Sequence, residues 1–221
     1  MRINVLQHTS NEGPGAIRIW AHRRQHQLYI YHPDQFGILP SAATTDMLVL
    51  LGGPQSVNDN LPWIAAERRL LQQLLARQVP IFGVCFGAQQ ISKALGGEIK
   101  SAATKEVGWA PIYLQATMLS LPAKLTVLHW HQETFTLPQN AQRLFASRLF
   151  ANQGFIYQQN VVGLQFHLET LAENVREIVV NDGQYTVGSA LNQTPQAILD
   201  FPVPAENQRV LFQLLDRISQ V

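Results

Sequence analysis

The sequence predicts an α/β fold: a mostly parallel central sheet with helices on both faces and a small antiparallel addition. Three observations carry this. Short runs at Met47–Leu51 and Ile81–Val84 are free of polar residues, and Ile3–Leu6 carries only Asn4, so they lack the polar alternation of half-exposed strands. Segments with apolar residues at helical spacing lie between them. Glycine and proline mark the junctions, at Gly13–Gly15, Gly52–Pro54, Pro62, Pro80 and Gly96–Gly97.

In chain order, Ile3–Leu6 reads as the first strand, and Gly13-Pro14-Gly15 breaks the chain before a helix at Ala16–Arg24. Leu28–Tyr31 is the next strand, and Met47–Leu51 a strand closed by Gly52-Gly53-Pro54. From Pro62 to Arg77, Ile64, Leu70, Leu71, Leu74 and Leu75 recur at helical spacing. Pro62 suits the first turn of that helix, and Pro80 follows its end. Ile81–Val84 is a buried strand, and Ala88–Leu95 a helix stopped by Gly96-Gly97. Residues 98–150, richer in Thr, Val, Trp and turn residues, read as antiparallel strands added to the sheet. Phe155–Gln158 and Val161–Phe166 form a hairpin across Gln159-Asn160, and Leu171–Val180 returns to helix. Gln208–Ile218 is a closing amphipathic helix with Leu211, Leu214, Leu215 and Ile218 on one side. Pro202-Val203-Pro204 before it is a hinge or cap rather than a boundary, so 1–221 is expected to be one domain, with helix 205–219 packed on it.

Composition narrows the function classes. Sixteen basic and fifteen acidic residues leave a net charge of +1, too balanced for a nucleic-acid or polybasic membrane surface. The 24 glutamines never exceed two in a row, which excludes a Gln-rich aggregation tract. Hydrophobic residues at 46% suffice for a real core and exclude disorder as the main state. Cys85 is the single cysteine, so no intrachain disulfide forms and a reducing compartment fits. The N-terminus lacks the apolar stretch of a signal peptide, and no run approaches the roughly 20 residues of a membrane span. The expected location is the cytoplasm.

Three segments carry chemistry. In Gly83-Val84-Cys85-Phe86-Gly87-Ala88-Gln89 a strand enters a sharp turn and a helix leaves it, the layout of a nucleophile elbow. Cys85 then caps a helix N-terminus, whose dipole and free N–H groups are expected to lower the thiol pKa. Taken alone, a lone buried cysteine is also a common core residue. In Gly163-Leu164-Gln165-Phe166-His167-Leu168-Glu169, His167 and Glu169 are two apart and on an extended segment point to one side. A carboxylate on one imidazole nitrogen would set the tautomer and leave the other to face a thiol. Alone, the pair also reads as a surface His and a helix-start Glu. In Gly52-Gly53-Pro54-Gln55-Ser56-Val57, consecutive glycines leave backbone N–H groups open, and those of Gly53 and Phe86 could form an oxyanion hole. By itself that segment is a turn. His129 and His131, two apart on an expected strand, have no carboxylate or cysteine at ligand spacing, so no metal site is expected there. His22, Arg23, Arg24 and His26 read as a solvated basic face.

Together the three segments, within residues 45–175, resemble the class I (triad-type) glutamine amidotransferases. Cys85 matches the nucleophile of the family's G-x-C-x-G-x-Q motif, His167 and Glu169 its G-x-Q-F-H-x-E motif, and Gly52-Gly53-Pro54 its oxyanion strand. Glu12-Gly13-Pro14-Gly15, Ser56-Val57-Asn58-Asp59 with Pro62-Trp63, Lys105–Trp109 and His129–Thr134 are similar to the stand-alone GMP-synthase-like branch. Leu168 departs from the proline usual between the His and Glu; leucine does not enforce φ near −65°, so a looser His–Glu pair is expected.

The resemblance implies a flavodoxin-like three-layer sandwich and hydrolysis of the glutamine side-chain amide through Cys85, His167 and Glu169. Gly53 and Phe86 would supply the oxyanion hole. Gly52, Gln89 and backbone near Trp130–Gln132 would hold substrate, with no metal or organic cofactor. It implies L-glutamine or a γ-glutamyl compound as the ligand and a separate synthase subunit accepting ammonia as the partner, without nucleic acid or membrane. GMP synthase joins this module to a domain carrying an S-G-G-x-D-S-type loop, and no such loop occurs in the sequence. Two alternatives remain: a γ-glutamyl hydrolase or peptidase, favoured by a roomy pocket lined by Trp63 or Trp130, and a non-catalytic binding protein on the same fold.

Overall fold

The computed structural model describes residues 1–116 and 120–220. In chain order the strands are β1 (Arg2–Leu6), β2 (Gln27–Tyr31), β3 (Met47–Leu50), β4 (Ile81–Val84), β5 (Ile99–Leu114), β6 (Lys124–Phe135), β7 (Gln142–Ala146), β8 (Gly154–Tyr157) and β9 (Val161–Leu164). They form a single sheet ordered β2-β1-β3-β4-β9-β8-β7-β5-β6. The first five in that order are parallel and the junctions from β9 onward antiparallel, so the addition contributes four strands. Residues 117–119 of the stretch expected to form added strands lie outside the described residues.

The helices are α1 (Gly15–Arg23), α2 (Pro33–Phe36), α3 (Pro62–Ala76), α4 (Phe86–Ala94), α5 (Ala172–Asp182), α6 (Pro195–Asp200) and α7 (Ala205–Ile218). The apolar run of β3 shows why both faces are covered. Met47 and Val49 point into a core with Ile17 and Trp20 of α1 and Leu211, Leu214, Leu215 and Ile218 of α7. Leu48 and Leu50 point the other way, toward Leu71 and Leu74 of α3 and Phe86 and Ile91 of α4. Each fully buried leucine on α7 contributes roughly 1.5–3 kcal/mol over exposure, so that face is core. Beyond the parallel strands, Val107, Trp109, Leu128 and Trp130 of β5 and β6 pack on Val175, Ile178 and Val179 of α5 and Ile198 of α6.

The boundaries differ from expectation where local geometry intervenes. Helix α4 starts at Phe86 rather than Ala88 because the turn is spent on Cys85 alone. The β8–β9 turn takes Gln158 and Gln159 at φ 47° and 67°, one residue earlier than the sequence suggested. Helices α2 and α6, of four and six residues, are too short to show periodicity; each begins on a proline, Pro33 and Pro195. Among the described residues no helix is long and apolar enough to cross a membrane.

Register positions the site. Leu50 pairs with Gly83, and Gly83 with Gly163, so β3, β4 and β9 end side by side. Gly52-Gly53, Cys85 and His167 follow those ends, at the carboxyl edge of the parallel sheet where α/β folds place ligands.

Candidate active site

Cys85 stands between β4 and α4 with φ 49° and ψ −110°, a left-handed conformation costly for a residue with a side chain. The elbow is held from both sides. The Cys85 N–H donates to the Leu164 carbonyl at 2.8 Å, and its carbonyl accepts from Gln89 N–H at 3.1 Å. A Cβ on Gly83 would come within 2.7 Å of the Gly87 carbonyl carbon, and one on Gly87 within 2.6 Å of Leu50 Cβ. Strand and helix therefore approach this closely only with glycine at both positions.

His167 lies past the end of β9, where its N–H donates to the Leu128 carbonyl of β6 at 2.9 Å. Its Nδ1 is 2.6 Å from Glu169 Oε1, and both side chains are buried. The other ring nitrogen, Nε2, has no hydrogen-bond partner among the described residues, while the ring and the Cys85 thiol are close enough to shift one another's ionisation. The expected loosening at Leu168 is not found. Leu168 is buried in the core, and packing holds the segment where proline would have stiffened it.

Burial also overturns the expected thiol pKa. Enclosure pushes the Cys85 thiol up, and neither His167 nor the Phe86 N–H at the helix start brings it back below its ordinary value. Burial works against charge on His167 too, but the Glu169 carboxylate and the Cys85 sulfur outweigh it and hold the imidazole well above 6.5.

The Gly52-Gly53 segment rests on His8. Its Nδ1 lies 3.1 Å from the Leu51 carbonyl and 3.2 Å from that of Gly52, and its Nε2 2.9 Å from Glu67 Oε2. Trp63 stacks on the His8 ring at 5.4 Å and belongs to this support, not to the cavity wall. Trp130 does line the cavity, which has a volume of about 390 Å³ and opens onto Cys85, Gly53, Phe86 and Gln89. Gln89 is buried and bonds Gln165 Oε1 at 3.2 Å, while Gln165 Nε2 reaches Cys85 Sγ at 3.7 Å.

Several cavity groups escaped the sequence reading. Glu12 projects over Gly52, where a Cβ would collide with its carboxylate and come within 3.2 Å of His167 Cε1. Enclosure raises the Glu12 pKa, although the residue as a whole is partly exposed. Glu133 accepts from Ser56 Oγ at 2.8 Å, and Asp182 from Trp130 Nε1 at 2.8 Å. Glu12, Ser56 and Glu133 fall inside quoted motifs, so a signal existed; Asp182 had none. In the basic cluster His22, Arg23 and Arg24 are exposed as expected, Arg24 forming a surface ion pair with Asp216 of α7 at 2.6 Å, and only His26 is half-buried. His129 and His131 do sit on β6, but register brings Glu106 of β5 directly opposite His131, supplying the carboxylate absent from the neighbouring sequence.

The arrangement is a thiol at a strained turn, an imidazole oriented by a carboxylate, and a cavity that Gly53 and Phe86 also line. It suits nucleophilic attack on a carbonyl. The profile of the family described as "Glutamine amidotransferase class-I" matches residues 20–183. The chain is 32% identical over 198 residues to a glutamine amidotransferase-like protein, YfeJ, of Salmonella typhimurium, covering 83% of this chain and 82% of that protein. It is 28% identical over 166 residues to a glutamine-hydrolysing GMP synthase of Actinobacillus succinogenes, covering 69% of this chain but 31% of that protein. A glutamine amidotransferase structure from Thermotoga maritima superposes with a TM-score of 0.90 at 25% identity, covering 100% of this chain and 99% of that one.

Proposed function

The chain belongs to the class-I glutamine amidotransferase family, and from that premise we propose that it hydrolyses the side-chain amide of L-glutamine with Cys85 as nucleophile. The observation that carries the reading is the 2.6 Å contact between His167 Nδ1 and Glu169, which leaves the unpartnered Nε2 for the thiol. His167 takes the Cys85 proton as the sulfur attacks the γ-carbonyl carbon. Charge develops on the carbonyl oxygen, where the Gly53 and Phe86 N–H groups stabilise it. The tetrahedral intermediate collapses, the C–N bond breaks, and His167 returns the proton to the departing ammonia. A γ-glutamyl thioester remains. Water, losing a proton to His167, attacks it, glutamate leaves, and the sulfur regains its proton. Glu169 keeps the imidazole oriented and stabilises its charged form. Gln89, on the cavity wall, binds the amino-acid end of the substrate, whereas Gly52 lies under the Glu12 carboxylate and off that wall. No metal or organic cofactor enters these steps.

Likeness to the GMP synthase relative, of which the chain spans 31%, supports delivery of ammonia to a separate synthase subunit. Trp130 on the wall of the cavity of about 390 Å³ favours a second reading, hydrolysis of a γ-glutamyl amide with a larger leaving group. The test is glutamate release from L-glutamine and from γ-glutamyl dipeptides by the purified chain, with Cys85→Ala as control. Glutamine turnover lost in the variant supports the amidotransferase, and faster dipeptide turnover supports the hydrolase. Turnover of glutamine that persists in Cys85→Ala would falsify both.

A further inference from the structure

We propose that Glu106, His129 and His131 form a buried site for a divalent metal of the zinc class, which clamps β6 behind the nucleophile. The strand pair builds the site. His129 and His131 are two apart on β6 and share a face, and Glu106 is the cross-strand partner of His131. All three are at most 3% exposed.

The hydrogen bonding of His129 is incomplete without a cation. His131 Nδ1 lies 3.0 Å from the Glu133 carbonyl, which can only accept, so Nδ1 carries the proton. The Nε2 of the same ring faces Glu106 Oε2 at 3.5 Å. Gln153 Nε2, whose amide carries two hydrogens, lies 2.6 Å from Glu106 Oε2 and 3.4 Å from that nitrogen. His129 is completely buried, and among the described residues neither of its ring nitrogens makes a well-directed hydrogen bond, Nδ1 facing Glu106 Oε2 at 3.2 Å.

The spacing fits a metal. Zinc bonds of roughly 2.0–2.2 Å in a tetrahedron put neighbouring ligand atoms about 3.3–3.6 Å apart. Glu106 Oε2 lies 3.2 Å from His129 Nδ1 and 3.5 Å from His131 Nε2, and the three ligand atoms fall within 4.8 Å of one another. A supporting shell is in place: the Glu133 carbonyl orients His131, and Gln153 and Ser147 Oγ, at 2.6 Å and 3.2 Å, orient Glu106. Two imidazoles and one carboxylate select zinc-like ions over magnesium or calcium. His131 also borders the cavity beside Cys85. The clamped segment matters to the reaction, because the Trp130 carbonyl lies 3.9 Å from Cys85 Sγ and the Leu128 carbonyl holds the His167 N–H.

The test uses the full chain carrying Cys85→Ala, which removes the thiolate as a competing ligand. The protein is stripped with EDTA and offered Zn²⁺ or Co²⁺. The expected result is about one Zn²⁺ per chain after gel filtration and intense visible Co²⁺ absorption of the tetrahedral type without a thiolate charge-transfer band. A hundredfold excess over Kd should raise Tm by about 5–10 °C. Glu106→Gln, close in shape to the native residue, and His129→Gln should each abolish all three signals, while His22→Gln, at an exposed position, should leave them intact. Should His129→Gln fail to fold, Glu106→Gln and the Co²⁺ spectrum still decide. Absence of bound metal and of a Tm shift in Cys85→Ala, or retention of metal by Glu106→Gln, overturns the proposal and leaves a metal-free hydrogen-bonded network.

Discussion

His8 Nε2 meets Glu67 Oε2 at 2.9 Å, and both side chains are fully buried beneath the Gly52-Gly53 turn. The two residues lie 59 positions apart, on the β1–α1 loop and on α3. Burial disfavours charge on His8, but the Glu67 carboxylate and the carbonyls of Gly52 and Leu51 outweigh it and raise its pKa above 6.5. A raised folded pKa gives a stabilisation fully present below the unfolded value near 6.5 and lost as pH rises through the folded value. Glu67→Gln should therefore lower stability by about 1–3 kcal/mol near pH 6 and by less at alkaline pH. Urea unfolding of variant and parent across pH 6–9 measures the difference, and a constant gap across that range sinks the idea.

The His167–Glu169 contact predicts a tautomer effect. Glu169→Gln keeps the shape of the side chain but removes the charge that favours a protonated imidazole. By analogy with carboxylate-to-amide changes in other triads, kcat should fall by about 10³–10⁴-fold with the fold retained. Steady-state kinetics with circular dichroism checks this, and a loss under tenfold would show that Glu169 is not orienting the ring.

Leu168 replaces a stiff proline with packing, and packing can be removed. The side chain is 1% exposed, so Leu168→Ala should cost about 2–5 kcal/mol. The same change should reduce kcat more than it raises KM, since the His–Glu geometry loosens while the cavity lining is untouched. Equal kcat in a destabilised variant would separate Leu168 from catalysis.

The resting thiol should titrate high. Burial raises the Cys85 pKa, and His167 acts against that rise. In the parent, the iodoacetamide rate should reach half its maximum above about pH 8.5, the ordinary thiol value. His167→Gln should move that midpoint further up. A midpoint near pH 6 in the parent would mean that the helix start and His167 prevail over burial.

Much of this molecule is readable from short stretches of chain. The apolar run Met47–Leu51 announces a strand covered on both faces, because side chains alternate across a sheet regardless of what covers them. Gly83-Val84-Cys85-Phe86-Gly87 announces the elbow, because the demand for small residues on either side of a tight turn is local. The β-α-β rhythm, the three motifs and their order follow from the same kind of information. Other features depend on which strands pair and how deeply a group sinks. Glu106 faces His131 through the β5–β6 register, and no spacing along the chain encodes that contact. Glu67 reaches His8 across the molecule, and Glu12 reaches the space above Gly52 from a loop. Cys85 sits at a helix start as its sequence indicates, yet its pKa moves opposite to the dipole expectation. A dipole is a property of the local backbone, whereas desolvation is set by everything packed around the sulfur, which the tertiary structure alone decides.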